Sequence, residues 1–387
     1  MDASDDTGLP EPTPDRIAAG MDGVLRPTAP GRREALLPSP CVQNHAAFLA
    51  LQPQGLACLW FGGSLEGKAD ISVYRSELDG GTWRAPQAIS DDPDRSEQNP
   101  IQFDAPDGRR LFLHTAQPGG DQDACVVRLR AEGGPPRDLP LPRGTFVRAP
   151  VQVRADGAWL LPLFRCVPRP GQRWTGAHDT AALAISADRG ETWREIEVPG
   201  STGCVHMTLV PLGDGRIAAF FRRRQADFVH RSESADGGES WSVPQPTDVP
   251  NNNSSISVVP LPDGRLAMAC NPINAAMHPD RRASLYDELG DDTRPSASGG
   301  CNPVWGVPRA PLSLCLSEDG GRSFPLRRVV DDSPGTCLSN DSLDGRNREL
   351  SYPSLVAHAD GTLDLAYTFF RRAIKHVRLA PDWTETT

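Results

Sequence analysis

Basic and phenolic side chains recur at matching places in this sequence. His45 (QNHAAF), Arg148 (FVRAPV), His206 (CVHMTL) and Tyr352 (LSYPSL) each stand at the start of an apolar run that leads into a glycine turn. Gln98–Asn99 and Asn252–Asn253 hold the same place in two further runs, while Trp60, Arg222 and Arg371 close runs that follow a turn. Several guanidiniums brought to one place suit a carboxylate, which they bind through paired hydrogen bonds. A tyrosine hydroxyl, with a pKa of about 10 in water, becomes a nucleophile or proton donor only when that value is lowered, as nearby cations would do. His206 is a candidate acceptor for the Tyr352 proton. His45 titrates near neutrality and suits a base, an acid or a carboxylate partner. Asp70 and Glu66, both in SLEGKAD, are candidates to protonate a leaving oxygen if one is desolvated. The plainer readings are packing for Tyr352 and Trp60, salt bridging between sheets for Arg148 and Arg371, turn capping for Asp70, and solvated positions for Arg223 and Arg224.

These residues need a frame, and the turns supply it. Gly55, Gly108, Gly157, Gly215, Gly264 and Gly361 mark six hairpins, most of them after Asp or Asn-like turn residues and between apolar runs. Successive turns lie roughly 50 residues apart, and the last interval is about twice that. The later half of each unit carries a second signal. SADRGETW begins at Ser186, SADGGESW at Ser234 and SEDGGRSF at Ser317; SELDGGTW (76–83) is a variant and LRAEGGPP (129–136) a decayed copy. Ser and Asp bond turn amides, Gly permits the reversal, and the aromatic plugs a gap between sheets. Such boxes are scaffold. Four strands in each unit of about 50 residues predict an all-β, six-bladed β-propeller. The sixth unit lacks its outer strand, which residues about 25–40 are expected to supply, so that N- and C-terminal strands close the ring. Residues 1–35 otherwise read as a flexible arm. Residues 36–387 read as a single domain, with an insert at about 272–305 in the long interval; a seventh blade hidden there is the alternative. With the hairpin turns on one face, all the strand starts and returns named above gather at one mouth.

Composition narrows the function classes. Gly 36 and Pro 38 in 387 residues favour turns over long helices. The formal net charge of −10 makes nucleic acid and anionic membrane poor partners. No apolar run is long enough for a membrane-spanning helix. The acidic start MDASDDTGLPEPTPDR lacks the basic and apolar regions of a secretory signal, and a cytoplasmic location is expected. The nine cysteines are scattered without C-x-x-C spacing, as expected of reduced core thiols. No phosphate loop, zinc spacing or EF-hand loop occurs, and no metal or cofactor is expected.

The boxes and the last unit, SYPSL…YT…IKHV over 351–377, resemble the sialidase superfamily in its Asp-box form. The resemblance covers about residues 40–380. It implies a six-bladed propeller, an arginine triad that clamps the substrate carboxylate, a Tyr nucleophile assisted by a Glu, and an Asp general acid. Tyr352 matches the nucleophile, Arg222 the second triad arginine, Arg309 (VPRAPLSLCL) the third, and Asp70, more loosely, the acid. Two positions depart: His45 stands where the first triad arginine belongs, and His206 where the nucleophile's Glu belongs. The reading that follows is an exo-acting hydrolase of a terminal acidic sugar. Tyr352, His206, Asp70 and His45 are its catalytic candidates. Its binding candidates are Arg222, Arg309, Arg148, Arg371, Gln98, Asn99, Asn253 and Trp60. A β-eliminating lyase on uronate sugars and a non-catalytic glycan-binding propeller are the alternatives.

Overall fold

The six turn glycines adopt positive φ, and at Gly264 and Gly361 it is 88° and 87°, a region open to glycine at no steric cost. Each of these two amides closes its hairpin by bonding a carbonyl three residues back, that of Leu261 or His358. In a computed structural model, which describes residues 13–167, 169–279, 298–339 and 347–384, the hairpins belong to six antiparallel sheets. The inner strands, in chain order, are Gln43–Gln52, Ser96–Asp104, the pair Thr145–Val147 and Gln152–Val153, Cys204–Gly213, Ser257–Pro260 and Leu350–Ala357. Each sheet then runs outward, and the set forms a six-bladed β-propeller.

The sixth blade is completed by the start of the chain. Arg32–Leu36 pairs with Ala373–Leu379, with Arg32 opposite Leu379 and Leu36 opposite Lys375, and Arg26–Ala29 adds a fifth strand. The arm expected over 1–35 is therefore ordered from residue 13. Thr13 caps a short helix, Pro14–Gly20, whose Ile17 packs among core residues of the last two blades; residues 1–12 lie outside the described residues. The long interval holds one blade, Ser257–Pro260 through Leu326–Asp331, with the insert between its second and third strands. Residues 280–297 of that insert lie outside the described residues.

The core lies between blades. One cluster joins Phe48 and Leu59 of the first blade, Ile101 and Leu113 of the second, and Trp159 and Leu161 of the third. The three full boxes repeat one hydrogen-bond pattern: the Ser hydroxyl donates to the Asp carboxylate (2.8 Å) and accepts from the glycine amide four residues on (2.8 Å). Their aromatics fill gaps between sheets; Phe324 is fully buried, with its ring 6.0 Å from that of Phe220.

One feature of the inner strands positions the mouth. The ladder slips between His45 and Phe48, Gln98 and Ile101, Val205 and Thr208, and Ser351 and Ser354. At each slip one residue is left-handed: Ala46 (φ 60°), Asn99 (52°), His206 (52°) and Tyr352 (53°). Asn253 (55°) does the same just ahead of its strand. A bulge of this kind turns a side chain out of the alternation of the strand and aims it elsewhere.

Candidate active site

The bulges, with the ends of the second strands, surround a recess at one mouth of the ring that encloses about 50 Å³ of solvent-accessible space. Tyr352 forms its floor together with Arg222, Arg309 and Arg371. Arg222 is the last residue but one of the strand Arg216–Arg223, and its Nη1 donates to the Tyr352 hydroxyl at 2.7 Å. Its Nε donates to Asn253 Oδ1 at 2.8 Å, and its Nη1 faces His206 Nε2 at 3.4 Å. Around the Tyr352 ring, the guanidinium carbons of Arg309, Arg222 and Arg148 stand 5.5, 5.7 and 5.7 Å from the centroid. The His45 ring lies 4.3 Å away, tilted.

A carboxylate missed by the sequence reading organises two of these arginines. Glu349 is fully buried. Its Oε1 accepts from Arg309 Nη1 at 2.8 Å and from Ser351 Oγ at 2.6 Å, and its Oε2 accepts from Arg371 Nε at 2.9 Å. Arg371 Nη1 also pairs with Glu66, which lines the recess. On the opposite wall Arg224 donates twice to Asp179 Oδ2, at 2.9 and 2.7 Å, and lies near the rings of Trp174 and Trp305. Arg223 and Arg224 are thus buried, not solvated neighbours. The only sequence signal for Glu349 was an acidic residue three positions before Tyr352, next to Arg348.

The electrostatics follow from these pairings. Burial raises the carboxyl of Glu349, but Arg309 and Arg371 outweigh it and hold the group well below its ordinary range. Burial also pushes the Tyr352 phenol up; Arg222 and Arg309 overcome it, and the net direction is down. Burial, then Arg371, holds His45 well below 6.5, against Glu349. Burial, then Arg222, does the same to His206. With Nε2 turned to a guanidinium, His206 is a neutral imidazole whose Nδ1 contacts Ser255 Oγ at 3.1 Å.

The expected site residues separate into three groups. Tyr352, His206, Arg222, Arg309, Arg371, Gln98 and Asn99 line the recess. Asn253 and His45 stand behind it: Asn253 holds Arg222 and accepts no position on the wall, and His45 is fully buried with Nδ1 2.8 Å from Thr368 Oγ1. Three lie elsewhere. Asp70 is exposed and caps its own loop, its Oδ2 accepting from the Ser64 amide at 2.9 Å; Glu66 of that loop faces the recess instead. Trp60 is fully buried, its Nε1 bonded to Asn44 Oδ1 at 2.9 Å and its ring stacked on Tyr74, so it offers no platform to a sugar. Arg148 passes beneath Tyr352 to the axial channel. His45 is also one residue off the repeating frame. The bulge residue of the first blade is Ala46, which stands at the same interval before Gly55 as Tyr352 before Gly361.

Comparison with known proteins accords with this arrangement. The BNR repeat-like domain family matches residues 54–365. No match is found among curated proteins. Among solved structures the chain is similar to the Hadza microbial sialidase Hz136 (TM-score 0.65, 12% identity, 88% of this chain and 66% of that one). It is also similar to a protein of unknown function from Dyadobacter fermentans (0.63, 16%, 91% and 100%) and to Trypanosoma rangeli sialidase in complex with sialic acid (0.56, 13%, 95% and 58%). The chain thus spans less than two thirds of the length of both sialidases, and at these identities the likeness is one of fold. The match across most of the chain, the six blades and the repeated boxes make this protein a member of the BNR repeat-like family, with a fold similar to that of sialidases.

Proposed function

We propose that the protein is an exo-glycosidase that removes a terminal carboxylated sugar, with Tyr352 as nucleophile. The observation that carries the reading is the hydrogen bond from Arg222 to the Tyr352 hydroxyl, in a setting where the surrounding guanidiniums favour the phenolate. Among the described residues Arg222 and Arg148 have no carboxylate partner, so the site carries two positive charges in excess. One phenolate and one substrate carboxylate balance them.

In this reading Arg222, Arg309 and Arg371 hold the substrate carboxylate, and the Tyr352 oxygen attacks the anomeric carbon. The bond to the leaving oxygen breaks as a carboxyl group gives it a proton. Glu66 takes that role in place of Asp70, since it alone of the two faces the recess, and it takes up its proton when the substrate carboxylate replaces it on Arg371. Water then cleaves the tyrosyl–sugar bond, and Glu66 recovers the proton. His206 does not serve as the base for Tyr352: its Nε2 faces Arg222, and its cationic surroundings disfavour taking a proton. The phenol is activated by charge rather than by a partner base. The enclosed space admits a carboxylate and a few waters, so a pyranose ring extends toward the rim at Trp174 and Trp305.

The test is a set of chromogenic sialosides and hexuronides, assayed with the wild type and Tyr352→Phe. Release of the terminal sugar by the wild type, with a fall of about a thousandfold or more in the variant, is expected. Equal turnover in both proteins, or an unsaturated uronate product, would overturn the hydrolase reading.

A further inference from the structure

Arg148 holds the place in the third blade that Tyr352 holds in the sixth, but its backbone has no left-handed bulge and its side chain goes under the recess. There it borders the axial channel, about 290 Å³, lined by Phe48, Leu209, Val258 and Leu355 among inner-strand residues. Its Nη2 reaches across the axis to three carbonyls: Ala47 at 2.8 Å, Tyr352 at 3.2 Å and Pro353 at 3.4 Å. Its Nε is buried without a partner, and among the described residues no carboxylate pairs with it. A buried guanidinium left without counter-charge is costly. Burial pulls this one down to about 10. A group kept in that state needs a reason for its charge.

The ring above it supplies one. Arg148 lies 5.7 Å from the Tyr352 centroid, on the side away from the recess. The other charged groups that face Tyr352 are largely paired: Arg309 with Glu349, Arg371 with Glu349 and Glu66, and Arg224 with Asp179. His45 and His206 are neutral beside it. Among the described residues, Arg222 and Arg148 are the arginines around the phenol without a carboxylate partner, and of the two Arg222 lines the recess.

We propose that Arg148 is a positioning residue for Tyr352: from the channel it fixes the carbonyls of the bulge that presents the ring, and it adds its positive charge to those of Arg222 and Arg309 around the phenol, without touching substrate. The proposal rests on Tyr352 as the reacting group, yet its test needs no turnover. The ultraviolet absorbance of tyrosinate is titrated in the wild type, Arg148→Gln and Arg148→Lys. The chain has four tyrosines, so each is measured against the same protein carrying Tyr352→Phe. The difference isolates Tyr352. Arg148→Gln is expected to raise its midpoint by about one pH unit or more, a tenfold loss of phenolate at fixed lower pH, and Arg148→Lys to stay within about half a unit of the wild type. An unchanged midpoint in a folded Arg148→Gln overturns the proposal. Should that variant not fold, Arg148→Lys decides: a midpoint held near wild type supports the role of charge, and a rise of about a unit or more overturns it. Absence of glycosidase turnover with these shifts intact would remove the functional reading and leave the role of Arg148 standing.

Discussion

Glu349 shows how much of the recess depends on one side chain. Its two oxygens hold Arg309 and Arg371 from opposite sides, in full burial. Replacing it with glutamine leaves two guanidiniums facing a neutral amide. Glu349→Gln is expected to destabilise the fold by about 3–5 kcal/mol, the range for breaking a buried ion pair. Binding of an acidic monosaccharide should weaken at least tenfold as the arginines lose their orientation; chemical denaturation and titration calorimetry measure the two effects. Residues of this sort are hard to find in a sequence. Arg309 and Arg371 reach Glu349 from separate connections, and no spacing announces that meeting. The same holds for Glu66 and Asp70. Both stand on one short loop, and only the fold shows that Glu66 turns inward.

At the scale of the element, the legible parts were those encoded locally. The glycine turns and the Ser–Asp boxes each specify their own hydrogen bonds, so they appear in the structure as they read in the sequence. Asp236 illustrates the box: its carboxylate accepts from the Ser240 amide and hydroxyl and from Ser234. Asp236→Ala is expected to lower stability by about 1–2 kcal/mol in urea denaturation, with affinity for an acidic sugar unchanged, because the box is remote from the mouth. The bulges are the contrary case. Alanine, asparagine, histidine and tyrosine fill the left-handed positions, and none of them signals positive φ as glycine does. Counting from the turns therefore placed His45 where the strand presents Ala46. A slip of one residue exchanges an imidazole for a methyl group at the bulge, and both are fully buried.

The whole molecule balances an acidic exterior against a cationic, largely imidazole-neutral centre. Its six blades and the exchange of strands between its two ends were legible because the repeat counts them: six inner hairpins with one outer strand short. The helix Pro14–Gly20 and the fifth strand Arg26–Ala29 were not, since an acidic, proline-rich start carries no periodicity. The buried histidines give the molecule a pH dependence of definite sign. His45 and His206 sit below 6.5 in the folded state, so as pH falls through 6.5 the unfolded chain takes up protons that the folded one refuses. Stability is lost on acidification, at up to about 1.4 kcal/mol per pH unit for each histidine. His358, raised by Asp364, acts in the opposite sense, being stabilising below 6.5 and losing that contribution as pH rises. The comparison that isolates the effect is wild type against His206→Gln. Between pH 7.5 and 5.5 the variant's melting temperature should fall less steeply; parallel curves would contradict it.

Closure of the ring has a consequence in time. The ladder of Arg32–Leu36 on Ala373–Leu379 joins a strand made before the first inner hairpin to one made after the sixth. Five blades have all their strands before Ala373–Leu379 is made, but the sixth must wait with its edge open. Tyr352 and Arg371 belong to that late blade, so the recess has no complete wall until all six blades have been made.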